Sequence, residues 1–495
     1  MTTVEDRATA SVSRPRVAPG RLFIDGTWRE ATSGGRTDVL DPSTGEVVTT
    51  VAEADAADVD AAVRAAREAF DYGPWSRTPG RERARVLHRV ADLVRERADE
   101  IVALESLDVG KPVTMCRNVD LETVAQQYEY YSALAQTLDG ATRQIPIPSH
   151  AYTRTEPLGV VAAITPFNFP LILSNSKIAP ALAAGNAVVH KPAEDTPLSA
   201  LLMAEILTDA GVPAGVVNVI TGRGPTAGEA LLRHPGVDKI AFTGSTAVGR
   251  HAASLAGEGL KPVTLELGGN AAHIVFEDAD VDKAVGAAIK AFVFNTGQFC
   301  MGGPRLLVAA PLYDTVVGIL ANAVPAVPVG DPFDQGTVVG PMAGERHLAK
   351  VEQYVALARA EGGRIIAGGE RLDLGGGFYY SPTVITDLPD DSRVVREEVF
   401  GPVLTVQPFY TEDEAVALAN STPYGLAAGL QTRDLARAHR VAARLQAGIV
   451  WVNDWAMLDP AIPFGGVKDS GFGREYGPEA LAAYSRTKSV VISLA

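Results

Sequence analysis

The chain has 495 residues, of which 46% are hydrophobic and 21% charged, and its 44 Lys and Arg against 59 Asp and Glu leave a net charge of −15. At ~150 residues per domain this length implies two or three domains with a large core to bury, which excludes a short peptide-like module and a dominantly disordered chain. The negative field repels polyanions, so nucleic acid is not an expected partner.

The first twenty residues contain Glu5 and Asp6 and no apolar core of signal-peptide length, so residues 1–20 read as a flexible lead-in. From residue 57 to about 108 the pattern is helical. Ala61, Val63, Ala66 and Phe70 mark one face of a first helix, and Leu87, Val90, Val94, Ile101 and Leu104 mark a second, longer one that Gly110 ends. After Pro157 come short β-branched runs, VVAAIT, NAVVHK, GVVNVIT and KIAFTG, with helices expected from about Ser199 and Ala247. A second set, RLLVAA, RIIAGG, PVLTVQPF and GIVWVND, is interleaved with helical stretches near 345 to 361 and 433 to 446. Strands that are apolar on both faces and alternate with helices predict two doubly wound parallel α/β units. Residues 137–156 and the terminal TKSVVISLA read as strands without helices between them, suited to an antiparallel flap or an assembly edge. No stretch reaches the ~18 apolar residues of a membrane span.

Several residues in this frame could carry chemistry. Only two cysteines occur, Cys116 and Cys300, too few for a disulfide scaffold and too scattered for a zinc site, so no metal is expected and a reducing cytoplasm fits. Cys300 lies in FNTGQFCMGG, where flanking glycines bring a thiol and its own N–H beside a ligand, although a lone cysteine is as readily a small buried hydrophobe. Glu266 ends the apolar run of VTLELGGN, where a carboxylate is either a strand-end ion pair or a general base. Asn168 in the rigid TPFNFP loop is either a turn former or an oxyanion donor. The turn TGRGPTAG, with Gly224 and Gly228, and the turn FTGSTAVG, with Gly244 and Ser245, compete as phosphate cradles or serve as strand-to-helix caps. Lys191, which ends NAVVHK, and Glu194, in the loop that starts after it, lie at the carboxyl edge of the expected sheet, as a ribose-binding pair or a solvated one.

Taken together, TPFNFP, KPAEDTPLSAL, FTGSTAVG, LELGGN, GQFC, EEVFGPV and PFGGVKDSGFGRE, in that order, resemble the aldehyde dehydrogenase superfamily from about residue 20 to the C-terminus. The resemblance implies an NAD-binding domain over 21–136 and 157–267, a catalytic domain over 268–470, and an arm over 137–156 and 480–495 that pairs subunits into dimers or tetramers. It implies Cys300 as nucleophile, Glu266 as general base, Asn168 with the Cys300 N–H as oxyanion hole, and Lys177 and Glu475 as a proton path. It also implies a cofactor site of Thr165, Pro166, Phe167, Lys191, Glu194, Gly224, Gly228, Phe242, Gly244, Ser245, Leu267, Glu398 and Phe400. NAD is expected over NADP, since the Glu194 carboxylate accepts from a 2′-hydroxyl and repels a 2′-phosphate.

The implied reaction is thiolate attack on an aldehyde, hydride transfer to the nicotinamide, and hydrolysis of the thioester. The family's common Trp is Phe167 here, and Phe167, Phe169, Leu173, Phe294, Phe299, Met301, Leu458 and Phe464 fall at tunnel positions. They imply an apolar lining suited to aromatic or medium-chain aldehydes. Aromatic walls also attract quaternary ammonium, so betaine aldehyde stays as an alternative beside semialdehydes. A catalytically retired relative with a structural role is the non-enzymatic alternative, against which the joint presence of Cys300, Glu266, Asn168, Lys191 and Glu398 argues.

Overall fold

The computed structural model describes residues 12–494; the first eleven residues of the expected lead-in and Ala495 of the expected arm lie outside the described residues. Residues 12–20 carry almost no regular structure, but they are not loose. Arg14 bonds Asp41 at 3.0 Å and Asp331 at 2.9 Å, and Gly20 bridges to Val51.

The molecule is α/β and built on two large sheets. The first runs Gly471–Phe472, Val263–Glu266, Lys239–Thr243, Val160–Ile164, Ala187–Lys191, Val217–Val219, Leu22–Ile24, Thr27–Arg29. Its five central strands are parallel, and four of them, Val160–Ile164, Ala187–Lys191, Val217–Val219 and Lys239–Thr243, are buried at every residue. That two-sided burial explains their unbroken apolar sequence. The chain passes from Val160–Ile164 to its neighbour Ala187–Lys191 and later returns to lay Lys239–Thr243 on the other flank. The loops after Val160–Ile164 and Lys239–Thr243 therefore diverge at a switch point, where open α/β sheets bind ligands.

The second sheet runs Arg364–Ala367, Thr383–Thr386, Val403–Phe409, Arg305–Ala309, Ala272–Val275, Ala427–Gln431, Ile449–Val452, parallel except for its first strand. A third, antiparallel sheet joins Ser485–Ser493, Ser149–Pro157 and Thr142–Arg143. No helix lies between Thr142–Arg143 and Ser149–Pro157, and Ile147, Val491, Ile492 and Leu494 are exposed on or beside the sheet. Among the described residues no helix is long and apolar enough to cross a membrane.

Three local readings differ from the sequence expectation. The first helix, Ala56–Asp71, starts at an Asp55 capping box and buries Val59, Ala62, Val63 and Ala66 rather than Ala61 and Phe70, because that face packs on the core of the first sheet. The long second helix is two, Gly80–Glu96 and Ala98–Val109, broken at Arg97, whose guanidinium turns to Glu100 at 2.8 Å and Glu205 at 3.1 Å. Residues 477–483 are helical before the last strand begins at Ser485.

Candidate active site

Cys300 is delivered by a constrained backbone. After the helix Val281–Val293, residues Asn295, Thr296 and Gly297 all take positive φ, at 50°, 57° and 70°. A Cβ on Gly297 would lie 2.1 Å from the Gly401 carbonyl, so only glycine lets this turn press against the EEVFGPV segment. Gly269 is equally tight, since its Cβ would meet the Cys300 carbonyl oxygen at 2.3 Å.

The asparagine loop is clamped to the same turn. Asn168 donates from Nδ2 to the Gln298 carbonyl at 2.8 Å, and Asn295 donates back to the Asn168 carbonyl at 2.7 Å. One N–H of the Asn168 amide is thus spent on orienting the group and the other stays available.

Two cavities meet at Cys300, which together with Leu173 lines both. The first, of about 260 Å³, is walled by Pro166, Phe167, Asn168, Thr243, Gly244, Ser245, Leu267, Gly268, His347, Lys350, Glu398 and Phe400. It opens at the switch point, beside the N-terminus of the helix Thr246–Glu258 that Ser245 caps. Glu398 is held there by the Gly269 N–H at 2.8 Å, and Lys350 donates to the Glu398 carbonyl at 2.9 Å. Burial raises the Glu398 carboxyl to about 7, against the pull of the Gly269 N–H and Lys350.

The remaining expected cofactor residues do not line this cavity. Thr165 and Phe242 are buried beneath it, Thr165 bonded to His190 and the Phe242 ring 2.6 Å from where a Gly244 Cβ would be. Lys191, Glu194, Gly224 and Gly228 belong to a neighbouring cluster. Lys191 donates to the carbonyls of Gly222 at 2.9 Å and Pro192 at 2.7 Å, and a Gly228 Cβ would meet its stem at 3.7 Å. Glu194 lies 3.8 Å from Lys191 and 3.7 Å from Arg346, so its carboxylate is held loosely. Arg346 also pairs with Asp195, which accepts from His347 at 3.3 Å.

The second cavity, of about 290 Å³, is walled by Phe169, Ile172, Phe294, Phe299, Met301, Ala456, Leu458, Phe464, Glu475 and Tyr476, with Asn118, Val119, Glu122, Thr123 and Gln126 at one side. Seven of the eight expected tunnel residues are here. Phe167 is the exception. Its ring stacks on His347 at 3.9 Å and meets Phe400 edge-on at 5.8 Å, and these aromatic partners hold it on the cofactor-side wall.

Glu266 lines neither cavity. It is buried at the end of its strand, and a Cβ on Gly465 would sit 2.7 Å from its Oε1, so two glycine-bearing segments make its room. Neither carboxylate oxygen has a hydrogen-bond partner of good geometry, although the Gly466 N–H acts on the group and opposes the rise in its pKa. Burial, reinforced by Glu475, pushes its carboxyl well above the ordinary range despite Lys177 and Arg474. Burial also raises the Cys300 thiol, with Glu398 and Glu266 adding to the effect. Behind them Lys177 donates to Thr243 Oγ1 at 2.6 Å and pairs with Glu475, whose other oxygen accepts from Ser176 at 2.7 Å. Cys116 is buried against the Lys111 carbonyl, away from both cavities.

Among the site residues missed by the sequence reading, four lie on elements that no quoted motif marks. His347 and Lys350 sit on the helix Glu345–Ala360, far from every quoted motif. Asn118 and Val119 sit on a π-turn, Cys116–Leu121, whose extra residue rotates the wall in a way that no helical period announces.

The aldehyde dehydrogenase family model matches residues 28–490, and the chain belongs to that family. Among solved structures, an NAD+ complex of an aldehyde dehydrogenase from Bacillus cereus is 42% identical, covers 96% of this chain and 97% of its own, and has a TM-score of 0.95. The NAD-dependent aldehyde dehydrogenase from Sinorhizobium meliloti is 41% identical over 96% of this chain and 95% of its own, with a TM-score of 0.94. A betaine aldehyde dehydrogenase from Staphylococcus aureus, in complex with NAD+, is 38% identical over 96% of each chain, also at 0.94.

Proposed function

We propose that the protein is an NAD-dependent dehydrogenase that oxidises apolar aldehydes to carboxylic acids through a thioester on Cys300. The observation that carries this reading is the meeting of two differently lined cavities at one thiol, with an unbonded buried carboxylate behind it. The cofactor-side cavity fits a nicotinamide ribose at Glu398 and a pyrophosphate at Ser245 and the adjacent helix start, with Lys191 and Glu194 for the adenosine ribose. When bound, the nicotinamide supplies a hydride acceptor and a positive charge that favours the Cys300 thiolate.

The chain's own groups do the rest. Cys300 Sγ attacks the aldehyde carbon, while the free Asn168 N–H and the Cys300 N–H hold the oxyanion, each worth ~3 kcal/mol. Glu266, unanchored and high in pKa, takes the proton from the water that hydrolyses the thioester. Lys177 and Glu475 carry that proton away. In this reading residues 21–136 and 157–267 hold the cofactor, 268–470 complete the catalytic unit, and 137–156 with 480–495 pair subunits of a cytoplasmic homo-oligomer.

The aromatic wall of the second cavity sets the substrate class. Each methylene buried there contributes ~0.8 kcal/mol, so kcat/KM should rise about fourfold per carbon from acetaldehyde toward hexanal. Initial rates of NADH formation across that series test it. A flat series, or a preference for betaine aldehyde or succinic semialdehyde, contradicts it.

Glu194 sets the cofactor. Glu194→Ser should raise the NADP to NAD ratio of kcat/KM about tenfold, a ~1.4 kcal/mol shift, because Lys191 and Arg346 remain beside the vacated position. An unchanged ratio would remove Glu194 from the discrimination.

A further inference from the structure

A groove of about 790 Å³ lies between the third sheet and the start of the helix Gly80–Glu96, apart from the two cavities at Cys300 and larger than either. Six basic side chains line it, Arg77, Arg81 and Arg83 on one side and Arg154, Arg486 and Lys488 from the third sheet on the other, against two acidic ones, Asp139 and Glu156. The antiparallel register sets Arg486 beside Glu156 and Lys488 beside Arg154, so these four share one face of the sheet. In a chain of net charge −15, the cluster has the opposite sign to the molecule as a whole.

Most of this charge is unanswered. Arg77 donates to the backbone carbonyls of Asp71 and Tyr72, Arg81 comes no closer than 3.8 Å to Glu82, and Glu156 is taken by Lys488 at 2.6 Å. Arg77, Arg83 and Arg154 make no ion pair among the described residues. Arg83 is the most constrained of them, at 7% exposed. It donates from Nε to the Ala183 carbonyl at 3.1 Å and from Nη1 to the Thr78 carbonyl, and its Nη2 has no hydrogen-bond partner among the described residues. Burial lowers its pKa, and no carboxylate acts to restore it. A buried cation without a counter-charge is costly, and an anion in the groove relieves that cost.

The backbone adds donors. The helix Gly80–Glu96 begins at the groove, its N-cap Pro79 makes no side-chain cap bond, and the first N–H groups, those of Gly80 and Arg81, have no intrahelical partner. A Cβ on Gly80 would lie 2.2 Å from the Ala135 carbonyl oxygen, so only glycine brings this helix start so close to the segment that leads into the third sheet.

We propose that this groove is a binding site for a small polyphosphate anion, held between the arginines at the helix start and those of the third sheet. Guanidinium groups match phosphate oxygens two at a time, and a free helix N-terminus favours the same charge. Several linked phosphates suit the groove better than one, because the cations stand on separate elements and a single phosphate cannot answer both sets. A chain of phosphates is common to inorganic tripolyphosphate and a nucleoside triphosphate, and Phe70 on the groove wall gives the latter a ring on which its base can stack.

The test is isothermal titration of the whole protein, saturated with NAD so that the cofactor-side cavity is filled, with tripolyphosphate and separately with ATP. One saturable site per chain with a Kd below about 1 mM is expected, weakening as salt rises. The exposed pair Arg77→Ala with Arg154→Ala, and separately Arg83→Gln, should each weaken binding at least about tenfold while aldehyde oxidation in the absence of the anion keeps its wild-type rate. Tighter binding of ATP assigns a nucleotide to the site, and equal binding assigns the phosphates alone. If Arg83→Gln does not fold, the exposed double variant decides. Absence of a saturable site, binding that NAD abolishes, or wild-type affinity in the double variant overturns the proposal. If the wild type binds neither probe and the double variant changes the oligomeric mass measured by light scattering, the groove is an interface between copies of the chain and the proposal falls.

Discussion

Cys300→Ala should lower aldehyde-dependent NADH formation by at least about four orders of magnitude while leaving NAD affinity nearly unchanged. Among the described residues the thiol is the only nucleophile that lines both cavities, and its turn is held by glycine contacts and the Asn168 and Asn295 amides rather than by the sulfur itself. Removing Sγ therefore removes the bond-forming atom and leaves the cofactor-side wall standing. Steady-state assay with hexanal and fluorescence titration with NAD measure the two effects. Turnover that survives in the variant would contradict the assignment, since the other cysteine, Cys116, is buried away from both cavities.

Glu266→Gln should separate the two halves of the reaction. The amide keeps the size of the side chain and removes the base, so hydride transfer proceeds and water activation fails. Stopped-flow absorbance should show a burst near one NADH per active site, followed by a steady state slowed by about 10²- to 10⁴-fold. The carboxylate that is lost makes no hydrogen bond of good geometry, and its burial disfavours charge, so the fold should tolerate the change well. A wild-type steady state would leave Glu266 without a role in hydrolysis. A missing burst would move its role to activation of the thiol.

The parts of the site legible in the sequence are those whose chemistry is written into a rigid local backbone. TPFNFP places Asn168 because two prolines and the end of a fully buried strand allow little else, and LELGGN places Glu266 because the glycines after it let Cys300 approach. The doubly wound sheets were legible for the same reason, since strands buried on both faces have unbroken apolar sequences. What escaped depends on side chains that meet across the fold. Phe167 looked like a tunnel residue and is turned onto the cofactor-side wall by His347, a partner in a different part of the chain. On the far side of the second cavity Asn118 and Val119 lie on a π-turn and Glu122, Thr123 and Gln126 on the helix after it, and the break between two helices at Arg97 leaves no mark in the apolar period. The Lys177 and Glu475 pair spans 298 residues of sequence, and only the resemblance to a family connected them.

The most direct measurement is the location of the acyl group. Glu266→Gln enzyme mixed with NAD and hexanal, quenched after the burst, digested and analysed by peptide mass spectrometry should carry one hexanoyl group on the peptide containing Cys300, in amount equal to the NADH released. NADH release without an acyl group on Cys300, or an acyl group on Cys116, would contradict the account.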